Sequence, residues 1–193
     1  MKRLQQHINE LVSLSDTQFA DVQTYFKHQS CEKGQFLIRK GEPVEHKYFV
    51  LKGCLRAYYM DKPGRQYVVQ FAVENWWISD FFSYFNEEPA TLYVDCLEPS
   101  DVLAISKEDI EIIYQKYPQF ERFFRLKITG AFLTLRKRII NNLHQSAIER
   151  YIGFLEHYPT IGQRIPDRQI ASYLGVTPES LSRARRQYAQ RGK

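Results

Sequence analysis

Residues 165–186 read Ile165-Pro-Asp-Arg-Gln-Ile-Ala-Ser-Tyr-Leu-Gly-Val-Thr-Pro-Glu-Ser-Leu-Ser-Arg-Ala-Arg-Arg186, an order typical of two short helices joined by a tight corner. Ile170, Ala171 and Leu174 recur at helical spacing in the first of these helices. Gly175 then supplies the residue with a left-handed backbone that a tight corner needs. The stretch therefore predicts a helix-turn-helix.

The second predicted helix has a polar, cationic outer face. Thr177 is its predicted N-cap and Pro178 its first residue, just as Asp167 is the predicted N-cap of the first helix. Side chains on the first turns of such a helix reach base edges in a DNA major groove. The residues expected to contact DNA are Thr177, Glu179, Ser180, Ser182, Arg183 and Arg186. A surface helical hairpin with a solvated basic face is the simpler alternative, and the spacing of the unit favours the helix-turn-helix over it.

Charge is distributed unevenly along the 193 residues. Residues 1–119 contain 13 Lys and Arg against 17 Asp and Glu, a net charge of −4, whereas residues 120–193 contain 14 against 5, a net charge of +9. A basic end joined to an acidic body fits a unit that binds a polyanion attached to a part that does not. The length allows one large domain with a small one attached.

The cysteines and histidines give no sign of a metal or cofactor site. Cys31, Cys54 and Cys96 are far apart and form no C-x-x-C pair, so we expect buried, reduced thiols and leave a redox role for one of them open. The histidines are scattered, with no His-x-His pair. No apolar leader precedes Leu11 and no run of about eighteen apolar residues occurs. We expect a cytoplasmic protein with no cofactor and no membrane contact.

The middle of the chain has a β-rich pattern. Short apolar runs alternate with turn residues from Gln35 to Ile105, a spacing typical of a β-sandwich, barrel or jelly roll. The predicted strands are 36–38, 48–51, 55–60, 67–71, 92–97 and 102–105. Residues 2–28 predict two short amphipathic helices, with Ser15 and Asp16 as cap candidates between them. The fold class expected is α+β, with an antiparallel, jelly-roll-like β-roll between helices.

A long helix is predicted from about Gln119 to Leu143, after a short helix that Pro118 stops. Its apolar residues lie on two faces, so we expect one face to pack on the β domain and the other on a second copy of the chain. The expected dimer contact comprises Phe120, Phe124, Ile128, Ala131 and Leu135. The alternative is a helix buried in one monomeric core. A further helix is predicted at 146–157.

In this order of elements the chain resembles the cyclic-AMP receptor protein/fumarate-nitrate reduction regulator family, Crp/Fnr. The resemblance rests on Lys33-Gly-Gln-Phe-Leu-Ile-Arg-Lys-Gly-Glu42, on Tyr48-Phe-Val-Leu-Lys-Gly53 and on the triplet Glu179-x-x-Ser182-Arg183. It implies that Arg183 binds a guanine, that Glu179 meets a cytosine amino group or orients the arginine, and that Ser182 touches a neighbouring base. It also implies three parts: a β-roll domain with flanking helices (1–118), a dimerisation helix (119–143) and a helix-turn-helix domain (144–193).

The chain departs from the cyclic-AMP binders of that family. Where they carry Gly-Glu for the ribose and Arg followed by Ser or Thr for the phosphate, this chain offers Ser79-Asp80 and Ala90-Thr91. A buried phosphate without a cationic partner is unfavourable, so cyclic AMP is not expected to bind through those contacts. The candidate pocket for another small effector comprises Trp77, Asp80, Phe81 and Thr91. The alternative is that these aromatic residues are core and close the pocket.

The end of the chain also departs from the family. Lys193 directly follows the predicted recognition helix, where many relatives continue into a β-hairpin wing. The resemblance therefore implies an incomplete wing, with part of its phosphate contacts supplied by Arg185, Arg186, Arg191 and Lys193.

These patterns predict a homodimeric transcription regulator that binds a two-fold pseudopalindrome in double-stranded DNA. RNA polymerase and an unknown small-molecule effector are further candidate partners. The sequence contains no catalytic triad elbow, Walker loop or metal-binding histidine pair, so an enzyme is not expected. The remaining alternative is a ligand-binding β-roll module whose C-terminal helices dock a protein.

Overall fold

The computed structural model describes residues 1–191 and has the α+β architecture expected from the sequence. The chain begins with α1 (Lys2–Asn9) and α2 (Asp16–Val22), followed by a 3-10 turn at Gln23–Tyr25. Ser15 is the N-cap of α2 and forms a reciprocal capping box with Gln18. The predicted pair of N-terminal helices is therefore confirmed.

The described residues form two four-stranded antiparallel sheets. The strands are β1 (Lys27–Cys31), β2 (Phe36–Ile38), β3 (His46–Lys52), β4 (Leu55–Met60), β5 (Gln66–Ala72), β6 (Trp77–Ile78), β7 (Tyr93–Cys96) and β8 (Ser100–Ser106). Their order is β1-β8-β3-β6 in one sheet and β2-β7-β4-β5 in the other. The inner faces enclose an apolar core that includes Tyr48, Val50, Leu55 and Val94.

Three elements of this roll do not follow from the sequence pattern. β1 falls where no strand is predicted, because its first four residues are exposed or half-buried and show no apolar alternation. β6 spans only two residues. Between β6 and β7 the aromatic run forms α3 (Phe81–Asn86), which begins at an N-cap that Asp80 provides.

The remaining helices cover the roll and continue beyond it. They are α4 (Lys107–Lys116), α5 (Pro118–His144), α6 (Ala147–His157), α7 (Asp167–Leu174) and α8 (Pro178–Arg191). Pro118 is the first residue of α5, where its missing N–H costs no hydrogen bond. Among the described residues no helix is both long and apolar enough to cross a membrane.

The first residues of α5 belong to the core of the protomer. Phe120, Phe123 and Phe124 pack with the N-terminal helices and with Phe49 and Trp77 on the outer face of the first sheet. Phe120 is 0% exposed and Phe124 is 3% exposed. The expectation that these two residues line a dimer contact is therefore corrected, since covered side chains have no surface left to offer a second copy.

A second core joins the sheet β2-β7-β4-β5 to helices α6 to α8, and we call this contact the roll–helix seam. Phe71 of β5 contacts the rings of Phe154, Tyr158 and Tyr173 at centroid distances of 6.3, 6.0 and 5.3 Å. The Tyr158 hydroxyl also donates to the Phe71 carbonyl at 3.3 Å. The helical end of the molecule is thus packed on the roll through aromatic rings, of which Phe71, Phe154 and Tyr158 are buried and Tyr173 is half-buried.

The free edge of β5 is closed by polar contacts across the seam. The Val68 N–H donates to the Ser172 hydroxyl at 3.0 Å, and that hydroxyl donates to the Gln66 carbonyl at 2.8 Å. Arg138 of α5 donates to the Val69 carbonyl at 2.6 Å. An edge strand presents unpaired backbone groups, and these two side chains satisfy three of them.

Candidate nucleic-acid interface

The corner between α7 and α8 has the predicted geometry. Gly175 ends α7 at φ +66°, and the Val176 N–H returns to the Ala171 carbonyl at 3.0 Å. The Thr177 hydroxyl accepts the Ser180 N–H at 3.2 Å, which caps α8 as the sequence predicts. For α7 the cap is Pro166, and Asp167 is the first helical residue and not the cap.

Helix α8 has one buried face and one exposed face. Leu181 and Ala184 are buried against α6 in the core of the helical end, beside Ile148 and Tyr151. On the other side Thr177, Glu179, Ser182, Arg183 and Arg186 are exposed, and Ser180 is half-buried. The predicted set therefore lies together on the solvent face of α8. The buried side chains Leu181 and Ala184 hold the helix in place.

The charge of Glu179 is stabilised locally. Its own backbone N–H, the Thr177 hydroxyl and, more weakly, the Arg183 guanidinium hold the pKa of this exposed carboxyl below its ordinary value. Glu179 and Arg183 are one turn apart and face the same solvent. The face thus presents one anion and two exposed arginines, Arg183 and Arg186, to whatever approaches it.

Arg185 points away from this face. Its guanidinium pairs with Asp167 of α7 at 2.7 Å and lies 5.6 Å from the centre of the Tyr151 ring. The expectation that Arg185 helps to replace wing contacts is corrected, because its charge is engaged inside the helix-turn-helix. The Arg191 side chain and Lys193 lie outside the described residues.

A shallow groove of about 250 Å³ runs beside Arg183, between the start of α6 and α8. It is lined by Ser146, Ala147, Ile148, Ser180, Arg183, Ala184 and Gln187. Ser146 and Gln187 extend the polar face beyond the predicted set. The sequence does not indicate them because Ser146 is distant in the chain and serves as the N-cap of α6.

The four candidate effector residues are divided between two environments. Asp80 and Thr91 are in contact, since the carboxylate accepts the Thr91 N–H at 2.7 Å and the Thr91 hydroxyl at 2.9 Å. Trp77 instead packs outward, with its ring centre 4.6 Å from that of Phe124. Phe81 packs against the same apolar cluster, which contains Trp77 and Phe124. Within residues 1–191 no group of His, Cys, Asp and Glu side chains is arranged to hold a metal ion.

The second half of α5 carries an exposed apolar stripe. Ile128 and Leu135 of the predicted dimer contact are exposed, and so is Ala131. Phe132 and Ile139 are more exposed still, at 62% and 54%. The sequence pattern did not single out Phe132 and Ile139. The predicted dimer contact was aligned on Phe120 and Phe124, and this alignment selects Ala131 in place of Phe132.

Comparison with known proteins gives matches to both sequences and structures. Residues 28–117 match the model of the cyclic nucleotide-binding domain. The chain is 21% identical to the transcriptional activator protein anr of Pseudomonas aeruginosa, over 83% of this chain and 70% of that protein. The chain is thus similar to a Crp/Fnr regulator in sequence, and it contains a cyclic nucleotide-binding domain. The match over residues 28–117 supports the resemblance drawn from the roll signature, and it does not extend to the helix-turn-helix.

Solved structures show that the Crp/Fnr fold extends over most of the chain. FixK2 from Bradyrhizobium japonicum has a TM-score of 0.74 at 20% identity and covers 86% of each chain. The c-di-GMP responsive global regulator CLP of Xanthomonas campestris has a TM-score of 0.72 at 12% identity, covering 92% of this chain and 93% of that one. At identities this low the structural likeness shows the fold alone, and the roles of individual residues rest on the geometry above.

Proposed function

We propose that this chain is a Crp/Fnr regulator, acting as a cytoplasmic homodimer that binds a two-fold pseudopalindrome in double-stranded DNA through α8. The observation that supports this most directly is the exposed cluster Glu179, Ser182 and Arg183 on a helix whose other face is buried. A rigid helix with free polar side chains on its first turns has the shape and chemistry that the major groove accepts.

Each of the three residues has a distinct part in this proposal. Arg183 donates both arms of its guanidinium to the O6 and N7 atoms of a guanine. Glu179, which stays ionised, accepts from a cytosine amino group or holds Arg183 in position. Ser182 contacts the neighbouring base. Arg186 lies one turn further along, where a phosphate contact is the natural role.

The proposed dimer forms through α5. Ile128, Phe132, Leu135 and Ile139 are spaced by four, three and four residues, the repeat that places apolar side chains along one seam of a two-stranded coiled coil. The stripe repeats this heptad spacing while remaining exposed in the protomer, so a second copy of the same helix is the partner that matches it. A parallel pair of α5 helices would present two α8 helices to successive half-sites.

An effector other than cyclic AMP is part of the proposal. The position that carries the phosphate arginine in cyclic-AMP binders is Ala90 here, and it is buried. Asp80, at the ribose position, already accepts hydrogen bonds from Ser83, Thr91 and Leu92. A cyclic nucleotide would find no arginine at the phosphate position and no free carboxylate at the ribose position.

Replacing Arg183 by Ala should lower the affinity for the selected operator by roughly 10- to 100-fold, the value of one bidentate guanine contact. The test is selection of bound sequences from a random duplex library, with Arg183→Ala and the exposed control Arg122→Ala alongside the wild type. We expect a two-fold motif in the wild type and control, and loss of the guanine preference in Arg183→Ala. An unchanged motif in Arg183→Ala would refute direct reading. If the affinity of the wild type for duplex DNA does not fall as the salt concentration rises, the result would instead favour a protein partner for α8.

Replacing Phe132 by Asp should convert the dimer into a monomer, because a carboxylate at the centre of the proposed contact between two α5 helices cannot be paired or solvated there. Sedimentation velocity measures the change directly, and operator affinity should fall with it. Phe82→Asp is the matched control, since Phe82 on α3 is 60% exposed against 62% for Phe132. Equal sedimentation of the two variants and the wild type would contradict the proposed interface.

A further inference from the structure

A cavity of about 430 Å³ lies at the roll–helix seam. The roll contributes Lys33, Gly34, Arg56, Asp95, Cys96 and Leu97, and the helical end contributes Gln163, Arg164, Ile165, Pro166, Arg168 and Gln169. Both halves of the molecule therefore form its walls, and none of its residues belongs to the set proposed to read DNA.

Two of the cations around this cavity are already neutralised. Arg56 forms a bidentate pair with Asp95 at 2.7 and 2.9 Å. Arg164 pairs with Glu74 at 3.0 Å and with Glu98 at 2.5 Å. These groups fasten the walls. Arg56 with Asp95 is neutral and Arg164 with its two carboxylates has a net negative charge, so neither group attracts an anion.

Two other cations have no ion pair within residues 1–191. Lys33 lies on the turn between β1 and β2, and Arg168 lies on the first turn of α7. Both are exposed at the cavity, one on each side of the seam. A single anion between them would be held by the roll and by the helix-turn-helix at once.

The start of α7 adds to this preference for an anion. No side chain caps its first turn, and residues of that turn line the cavity, so the positive end of the helix dipole lies beside it. Asp167 does not cancel it within the cavity, because its carboxylate turns to Arg185 and does not line the cavity.

A buried polar atom at the same place lacks a partner. Gln169 is 7% exposed, lines the cavity, and its side-chain carbonyl oxygen has no hydrogen-bond donor among the described residues. Such an orphaned acceptor is unfavourable unless a ligand or water supplies a donor. Ile165, Pro166 and Leu97 give the cavity an apolar wall beside it.

We propose that this cavity binds a small organic phosphate, with the phosphate between Lys33 and Arg168 at the first turn of α7 and the organic part on the apolar wall, donating to Gln169. Because the ligand contacts both sides of the seam, it stabilises the arrangement in which the helix-turn-helix is packed on the roll. The site is separate from the proposed reading of DNA by α8 and stands or falls independently of it.

The test uses the full chain with AMP, adenosine and inorganic pyrophosphate as probes, at constant ionic strength. AMP and pyrophosphate should each raise the melting temperature, by roughly 3–6 °C at ten times the Kd, and adenosine should not. The stabilisation should be absent from Lys33→Ala/Arg168→Ala and intact in Arg183→Ala/Arg186→Ala, whose changes lie on the proposed DNA face. Both double variants alter exposed side chains only, so both are expected to fold.

Trp76 reports the seam independently, since its ring stacks on Tyr158 at 5.2 Å while Trp77 is buried elsewhere. AMP should reduce acrylamide quenching of the wild type and leave that of Lys33→Ala/Arg168→Ala unchanged. No stabilisation by either phosphate, or stabilisation that survives in Lys33→Ala/Arg168→Ala, would overturn the site. Stabilisation by pyrophosphate alone would overturn the organic class of ligand.

Discussion

Replacing Lys47 by Met should raise the free energy of unfolding at pH 6 by a few kcal/mol and remove most of its increase between pH 7 and 8.5. Lys47 lies on β3, is 1% exposed, and its ammonium forms no ion pair among the described residues. Burial lowers its pKa from 10.5 to about 7, and the charge of Glu111 offsets this only in part. Methionine fills a similar volume without a charge to desolvate.

The surroundings of Lys47 explain why the cation is tolerated. Its ammonium lies over the rings of Tyr84, Phe85, Tyr114 and Phe124, at 4.8, 5.7, 5.9 and 4.2 Å from their centres. Ring faces attract a cation by about 0.5–2 kcal/mol each, which offsets part of the desolvation. Only the rings of Tyr84 and Phe124 lie within about 5 Å, so the attraction amounts to about 1–4 kcal/mol. The fall in pKa corresponds to about 5 kcal/mol at about 1.4 kcal/mol per unit, so the net sign favours Met.

The direction of the pH dependence follows from proton binding. Between about pH 7 and 10.5 the unfolded chain holds a proton on Lys47 that the folded chain has released, so stability rises with pH in that window. Below pH 7 both states are protonated and the full desolvation applies. The raised pKa values of Cys54, Tyr84 and Tyr114 act in the opposite sense, but only near and above the ordinary values of 9.0 and 10.0.

Urea denaturation at pH 6.0, 7.5 and 8.5 measures the effect, with Lys52→Met as the control. Lys52 ends the same strand β3 but is exposed, so its replacement removes the same charge without the desolvation. A difference between wild type and Lys47→Met that stays constant over this range would contradict the lowered pKa. A less stable Lys47→Met would show that the four rings outweigh the burial.

Sequence periodicity was sufficient to predict those elements whose structure depends only on their own residues. Apart from β6, the strands from Phe36 to Ser106 were predicted to within a few residues, because each is a short β-rich run between clear turns. The corner at Gly175 was predicted for a similar reason: the left-handed backbone and the Thr177 cap are local requirements. The face of α8 followed from these, since one buried residue, Leu181, sets the orientation of the helix.

Features that depend on two distant elements did not follow from the sequence. Lys47 stands in a polar run, Glu45-His-Lys, and only the packing of α3, α4 and α5 over β3 buries it. The roll–helix seam also depends on distant elements. Its Ser172 hydroxyl accepts the Val68 N–H at the edge of β5, across a separation of 104 residues. The dimer stripe was partly missed because the apolar residues of α5 serve two surfaces in succession, and periodicity cannot tell where one surface ends.

Replacing Asp80 by Ala should destabilise the fold by about 3–5 kcal/mol, because several buried donors would lose their acceptor together. The carboxylate accepts from the N–H groups of Thr91 and Leu92 at 2.7 and 2.9 Å, from the Thr91 hydroxyl at 2.9 Å, and from the Ser83 N–H and hydroxyl at 3.3 and 3.1 Å. It thereby caps α3 and ties it to the start of β7. Asp80 is 1% exposed, so water cannot replace it.

The acid limb of stability gives a second signature of the same carboxylate. Burial would raise the pKa of Asp80, but the N–H groups of Thr91 and Leu92 outweigh it and hold the pKa below the ordinary value of 3.8. Its contribution is therefore complete above that value and is lost as the pH falls through the lower, folded pKa. In Asp80→Ala the loss of stability below pH 4 should be shallower than in the wild type.

Asp61→Ala separates this role from the general effect of removing an aspartate at a turn. Asp61 accepts the Arg65 N–H at 2.8 Å and the Tyr67 hydroxyl at 3.1 Å on the outside of the roll, where water can take its place. We expect it to cost about 1 kcal/mol or less by denaturation. Equal stabilities for Asp80→Ala and Asp61→Ala would mean that the Asp80 carboxylate does not carry this end of the roll.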